Sequence, residues 1–433
     1  MQQPLARTLI HGIGTLVTPA RLPAPLRGAD LGAVVEVPGA AIAVDDAGMI
    51  IAAGPEAEVR AAVTTDDDTV LHDARGLLAI PGLVDCHAHL VFDGDRANEF
   101  ELRNRGASYE EIHAAGGGIL ASVARTRTAL DAGTIAPQVR QRLDWMLAAG
   151  TTTAEGKSGY ALTLEHELES LRVLCAVAEQ HPVHVTQTLL AAHTVPTEYA
   201  GRADDYIDEV AIPAVRRAVR EGRASAADVF LERGSFNREQ ARRYLLAAQE
   251  EGLAARLHGD QFSDQGGIDL AIEIGARSID HLEALEPDAP RLAALAASNT
   301  AGVLLPLSSL FLGRPWAPGR QLIDAGGIVA LASDFNPGSS YGESLTLAMS
   351  LACLGCRLTA AEALSAATIN AAWVLGLDDR VGRLDVGSRG DVVLLDQPSL
   401  QHLPYHVGTP NVRTVFVGGR EVGGCESGRG GAG

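Results

Sequence analysis

The chain is poor in aromatic residues, methionine and cysteine. Phe, Trp and Tyr together make up 4% of its 433 residues, with four Met and five Cys. The cysteines, Cys86, Cys175, Cys353, Cys356 and Cys425, are odd in number and widely scattered. Such spacing does not build a disulfide framework; it fits a reducing compartment, so a cytoplasmic protein is expected. Cys353 and Cys356 form an isolated CxxC within an Ala/Leu-rich stretch, which reads as two small core residues one helical turn apart rather than a redox or zinc site. No run of 18 apolar residues occurs, so no membrane-spanning helix is expected. The first twenty residues lack the charged-then-apolar pattern of a signal peptide. Basic residues are in deficit, with 35 Lys and Arg against 54 Asp and Glu, a net charge of −19. Nucleic-acid backbones and anionic membranes require clustered positive charge, so neither is an expected partner. An anionic small molecule would need a local cation. No repeat of fixed period is present. Gly116-Gly117-Gly118 lacks phosphate-loop spacing and reads as a turn before a helix. No GxSxG surrounds Ser158.

What remains is ordinary globular composition, with 46% hydrophobic and 21% charged residues, 47 Gly and 20 Pro. That excludes collagen-like, coiled-coil and disordered chains. Both ends read as β-structure. Ala41–Val44 and Met49–Ala53 flank the turn Asp45-Asp46-Ala47-Gly48, and residues 382–396 and 413–422 repeat the style. Residues 21–40, rich in Pro and Gly, read as a loop. Between the ends, eight apolar β-branched runs (80–90, 151–159, 184–193, 227–232, 253–260, 278–282, 301–307 and 327–336) alternate with Ala/Leu/Glu/Arg-rich segments. The helical segments are 108–131, 136–149, 164–180, 204–221, 236–252, 266–275, 288–299 and 341–355. Eight such alternations predict parallel βαβ units closed into a TIM-like (β/α)8 barrel. The expected organisation is a small β-sandwich domain from residues 1–75 and 381–422, a barrel over 76–380, and a disordered tail over 423–433.

Chemically capable residues sit at the carboxyl ends of these runs, the face where barrel strands converge on active sites. The first run ends in His87-Ala88-His89, the second leads to Lys157-Ser158-Gly159-Tyr160, and the third ends at His193. The fifth, sixth and eighth end at His258, His281 and Asp334. His87 and His89 are two apart on a strand and point the same way. Same-side imidazoles can share one cation, and a third His with an Asp from other strands completes a nitrogen and oxygen set suited to zinc or iron.

The segment PGLVDCHAHLVF at 81–92 resembles the first-strand signature of the amidohydrolase superfamily of metal-dependent hydrolases. DRANEFELRNRGASYEEIHAAGGGI (95–119), EGKSGYALT (155–163), TLLAAHTVPTEYAGRADDYID (188–208), LHGDQFSDQGG (257–267), IDHLE (279–283) and SDFNPGSS (333–340) are similar to the imidazolonepropionase family. That family opens the cyclic amide of 4-imidazolone-5-propanoate to N-formimidoyl-L-glutamate in histidine degradation. The resemblance implies one metal ion, zinc or iron, on His87, His89, His258 and Asp334. It implies His281 as the base that takes a proton from water, with Asp334 assisting. Arg96 matches the family's carboxylate-binding arginine, a fork suited to bidentate contact. Tyr160, His193 and Gln261 match positions that hold the ring, Gln261 beside the catalytic groups as well. Asn336, Gly338 and Ser339 match a loop that contacts substrate and product. A homodimer is expected by superfamily analogy.

Other readings stay open at this stage. Arg96 could pair with Glu99 or Glu101 on the surface, Tyr160 could be core packing, and Asn336-Pro337-Gly338 could be a plain turn. The chain could act on another small anionic ring, or be a metal-free scaffold. Some superfamily members bridge two metals with a lysine on the fourth strand; here ADVFLERG offers Glu232 and no lysine, which points to one metal. Leu307-Ser308-Ser309-Leu310 stands where the family carries a glycine and aromatics. Gly156 and Ala161 also depart from the usual EIKSGYG.

Overall fold

The structure is a computed structural model and describes residues 3–106, 117–286 and 290–424. The amino end supplies β1 (Thr8–Pro19), β2 (Val34–Val44), β3 (Ile50–Pro55), β4 (Val70–Asp73) and β5 (Leu78–Pro81). Eight central strands follow: β6 (Leu83–Asp85), β7 (Thr151–Lys157), β8 (His184–Ala192), β9 (Ala226–Leu231), β10 (Ala254–Gly259), β11 (Ser278–His281), β12 (Ala301–Leu304) and β13 (Val329–Leu331). The carboxyl end returns with β14 (Val392–Leu395), β15 (Val412–Val417) and β16 (Arg420–Gly423).

The central strands run parallel in chain order from β6 to β13. Their side chains are buried along nearly their whole length, as parallel strands covered by helices must be. The ring closes just beyond the ends of β6 and β13. Ala88 bridges Phe335, the His89 N–H donates to the Phe335 carbonyl at 2.8 Å, and the Asp334 N–H donates to the His87 carbonyl at 3.0 Å. The Asp85 carboxylate ties the same seam, accepting from the Ser333 N–H at 3.2 Å and the His87 N–H at 3.3 Å. The seam therefore fixes His87, His89 and Asp334 against one another through the backbone. Amphipathic helices surround the strands. Leu164–Ala178, for instance, is capped by Thr163 and buries Leu168, Leu171 and Leu174.

The second sheet joins both chain ends in the order β16-β15-β14-β5-β1-β2-β3, with β4 beside β1. It wraps a separate core of Ile10, Ile13, Ile42, Val44, Leu394 and Phe416, which makes the small β-sandwich. The fold is thus a (β/α)8 barrel with a sandwich built from both ends.

Three local expectations are corrected. The run 80–90 is not one barrel strand, because Leu78–Pro81 belongs to the second sheet, β6 spans only Leu83–Asp85, and His87 and His89 lie beyond its end. Residues 21–40 are not all loop, because Val34 opens β2, which pairs with β1 as far as Val34 against Pro19. Long pairing with a continuous neighbour outweighs the local Pro38 and Gly39, and the register shift falls instead on β1 between Ile10 and Ile13, where Gly12 has a φ of +70°. The stretch 382–396 is strand only at Val392–Leu395. Several short helices carry no strong periodic signal and were not expected, among them Ala97–Asn104, Pro306–Leu312 and Ile369–Leu375. Residues 108–116 of the expected helix 108–131, and the tail from 425, lie outside the described residues. Among the described residues, no helix is long and apolar enough to cross a membrane.

Candidate metal centre and adjoining pocket

The paired imidazoles meet the other strand-end groups at the carboxyl mouth of the barrel. His87, His89, His258, His281 and Asp334 are all at most 3% exposed. The His89 and His258 Nε2 atoms lie 3.4 Å apart. Asp334 Oδ1 is 3.5 Å from His87 Nε2 and 3.6 Å from His89 Nε2. Ligands held about 2.1 Å from a tetrahedral centre stand about 3.4 Å from one another, a spacing these three pairs match, while His87, His89 and His258 form one cluster of mutual reach that does not include Asp334. Among the described residues, the buried His87 Nε2 has no hydrogen-bond partner, which is costly for a polar atom and leaves it available to a cation. The donor set fits zinc or iron. His281 joins His87 and Asp334 in a second overlapping cluster.

Backbone strain concentrates here. Asp334, His281 and Leu282 have φ of +54°, +93° and +72°. Non-glycine residues take such angles only where the surrounding structure imposes them.

Electrostatics separates the histidines. Burial, followed by Lys157 and the neighbouring imidazoles, holds His87 well below its ordinary pKa. His89 is depressed likewise by burial and then His193 and His258. Both are neutral and can offer lone pairs. Burial also lowers His281, but the carboxylates of Glu283, Asp334 and Asp280 outweigh it and raise the group to about 9. Its Nδ1 faces Glu283 at 3.3 Å.

A cavity of about 390 Å³ opens from this cluster. It is lined by His89, His258, His281 and Asp334 together with Arg96, Tyr160, His193, Gln261, Asn336, Gly338 and Ser339, so every residue singled out from the sequence except the deeper His87 borders it. Arg96 precedes the helix Ala97–Asn104, and its Nε donates to Ser122 Oγ at 3.0 Å. Glu99 is 4.0 Å from the same Nε, so the Glu99 pairing is present, but at 12% exposure and inside the cavity lining rather than on the surface, while Glu101 pairs with Arg105. His193 Nδ1 lies 2.9 Å from the Gly159 carbonyl. A carbonyl only accepts, so that nitrogen carries the proton and Nε2 is a bare acceptor. Burial and His258 push His193 down to about 3, which keeps it neutral. Burial raises Tyr160 above its ordinary value, so its hydroxyl stays a donor. Gln261 Nε2 is 3.5 Å from Ser308 Oγ.

Asn336 is spent on the turn itself. Its amide donates to the Asp334 carbonyl and to Ser339 Oγ, while its Oδ1 accepts the Gly338 and Ser339 N–H groups at 2.8 Å each. Ser339 Oγ in turn donates to Asp334 Oδ2 at 3.2 Å. The loop is thus a turn, and the same residues line the cavity. Glu232 is not at the metal cluster; it accepts the Phe262 N–H at 2.9 Å and the Ser263 N–H at 3.2 Å, holding the loop that carries Gln261. The Leu307–Leu310 departure also borders the site, with Ser309 Oγ 3.4 Å from Glu283.

Sequence reading noted Lys157 at a strand end but missed its four buried charged neighbours, Glu155, Asp228, Arg256 and Asp280. The available signal was the presence of charged residues inside runs otherwise fit for a parallel-strand core.

The sequence signature of the amidohydrolase family matches residues 78–422. An imidazolonepropionase from Rubrobacter xylanophilus is 51% identical over 411 residues, covering 95% of this chain and 97% of that protein. One from Herpetosiphon aurantiacus is 45% identical, covering 97% of this chain and 98% of that protein. Among solved structures, a zinc-bound adenosine deaminase from Xanthomonas campestris shares the fold at a TM-score of 0.66 and 20% identity, over 97% of this chain and 93% of that one. The chain belongs to the amidohydrolase family and, within it, to the imidazolonepropionases.

Proposed function

We propose that the chain hydrolyses the cyclic amide of 4-imidazolone-5-propanoate to N-formimidoyl-L-glutamate, the ring-opening step of histidine degradation. The observation that carries this reading is one cavity lined both by a His/Asp cluster and by Arg96, Tyr160 and a neutral His193, with the His193 ring stacked 5.3 Å from that of His89 and Tyr160 5.8 Å from it. A propionate needs a guanidinium, and a small polar ring needs both an acceptor and a donor.

His87, His89, His258 and Asp334 hold a single zinc or iron ion in this reading. Such an ion supplies a water whose pKa falls toward about 7 and polarises the ring carbonyl. Arg96 binds the propionate. His193 Nε2 accepts from a ring N–H, and the Tyr160 hydroxyl donates to the ring. Gln261 stands where it contacts the ring edge. His281 takes the water proton at Nε2, since its Nδ1 faces Glu283, and returns it to the departing ring nitrogen. A positive charge in the cage would oppose the proton on His281 and so lower its pKa from the raised value it has without the ion. Asn336 and Ser339 keep Asp334 in place. The described cysteines Cys86, Cys175, Cys353 and Cys356 are free, which supports a cytoplasmic setting.

The test is an assay with freshly generated imidazolone propionate, following loss of ring absorbance and appearance of N-formimidoyl-L-glutamate. His258→Ala is expected to lose both bound metal and turnover. No turnover by metal-loaded wild-type protein would overturn the substrate; full metal occupancy in His258→Ala would overturn the ligand set.

A further inference from the structure

Lys157 is the only lysine in the chain, and it is fully buried. Its Nζ lies 2.6 Å from Asp228 Oδ2 and 2.8 Å from Glu155 Oε2. Asp228 Oδ2 is also 2.8 Å from His258 Nδ1, and Asp228 Oδ1 accepts the His258 N–H at 3.2 Å. The arrangement repeats on the other side of the barrel floor. Arg256 Nη2 lies 2.9 Å from Asp280 Oδ2, which is 2.5 Å from His87 Nδ1. Glu155 joins the halves, with Oε1 2.5 Å from Arg256 Nη1. In each half, one carboxylate oxygen is shared between a cation and the Nδ1 of an imidazole.

The five charges are Lys157 and Arg256 against Glu155, Asp228 and Asp280, all at most 1% exposed. A buried carboxylate without a cation is expensive, so each carboxylate stays ionised only while its partner is present. An ionised carboxylate accepts, so the hydrogen bond to Asp280 puts the His87 proton on Nδ1, and the Asp228 carboxylate 2.8 Å from His258 Nδ1, a close charge contact outside hydrogen-bond geometry, favours the same tautomer there. Their Nε2 lone pairs are then free to face the cage.

We propose that Lys157, Glu155 and Arg256 are positioning residues that clamp Asp228 and Asp280 onto His258 and His87, fixing the tautomer and orientation of both rings toward the cation. This rests on the ligand set proposed above. The active element is the balance of charge across both halves, with Glu155 as the link. Carboxylates that orient metal-binding histidines commonly set metal affinity and activity within about 10–100-fold.

The experiment measures zinc affinity by chelator competition and steady-state kinetics on the full chain. Lys157→Met is expected to weaken zinc binding by about 10–100-fold. Its kcat should fall while KM stays within about twofold, because Arg96 is untouched. Lys157→Arg, which keeps the charge, should retain most of the affinity. The double variant Lys157→Met/Glu155→Gln removes one charge of each sign and should bind zinc more tightly than Lys157→Met alone. A merely structural lysine would give losses that add instead. Unchanged affinity in Lys157→Met, or a double variant at least as weak as the product of the two single effects, overturns the inference. Should Lys157→Met not fold, isotope-labelled lysine reads the same point in wild-type protein, since a single side-chain resonance exists. That resonance should shift on zinc addition, and the shift should shrink in Asp228→Asn; an unmoved resonance overturns the inference. His258→Ala separates the two levels: if it keeps zinc, the ligand set falls and the clamp with it; if it loses zinc while Lys157→Met keeps it, only the clamp falls.

Discussion

Gly338 stands so close to Arg96 that a Cβ on it would lie 2.5 Å from the Arg96 Nη1 atom. The missing side chain is what lets the guanidinium reach across the cavity mouth. Gly338→Ala should therefore push Arg96 away from the propionate while leaving the metal cluster intact. A displaced charged hydrogen bond costs about 1.5–3 kcal/mol, so KM should rise roughly 10–100-fold with kcat and metal content little changed. Arg96→Ala sets the upper limit of the effect. A Gly338→Ala enzyme with wild-type KM would remove both the contact and the carboxylate role of Arg96.

Much of this site was legible because barrel strands deliver their terminal residues to one place. His258, His281 and Asp334 were placed by their positions at or near strand ends, whereas His87 and His89, read as two apart on a strand, lie beyond the end of β6 at Asp85 and are held by the seam to Phe335 and Asp334. The buried charges were not legible, because a Glu or Lys within an apolar run such as Thr151–Lys157 carries no mark of which neighbour neutralises it. Lys157 and Asp228 are 71 residues apart, and only strand adjacency brings them to 2.6 Å. Composition misled at Val34–Gly39, where pairing with β1 outweighs local Pro and Gly. It gave no warning of the short helix Pro306–Leu312, whose Ser309 reaches Glu283.

The proton on His281 makes the metal-free protein sensitive to alkali. Burial disfavours the charged ring, yet Glu283, Asp334 and Asp280 together lift its pKa to about 9. The unfolded value is about 6.5, so the folded state binds this proton more tightly. The resulting stability is complete below about pH 6.5 and is lost as pH rises through about 9, a change of up to about 3 kcal/mol. Urea midpoints of chelator-stripped protein at pH 6 and pH 9.5 should differ more for wild type than for His281→Asn. Equal differences in the two proteins would show that the carboxylates do not hold that proton.

Arg142 supports the histidine pair from below the rim. It is 4% exposed, and its Nη1 donates to the carbonyls of Leu90 at 2.9 Å and Phe92 at 2.8 Å. Its guanidinium carbon sits 3.4 Å from the centre of the Phe92 ring. Burial lowers its pKa to about 10, which still leaves it charged at neutral pH. Arg142→Ala strands two buried acceptors and removes the cation from the ring face. An unsatisfied buried acceptor costs about 1–3 kcal/mol, so with partial relaxation the variant should lose about 2–4 kcal/mol of stability in urea unfolding. The segment it fixes begins one residue after His89, so the metal should also bind more weakly in the folded fraction. A variant as stable as wild type, with full metal affinity, would mean that water replaces the guanidinium and that the segment is held by its backbone seam to Phe335 alone.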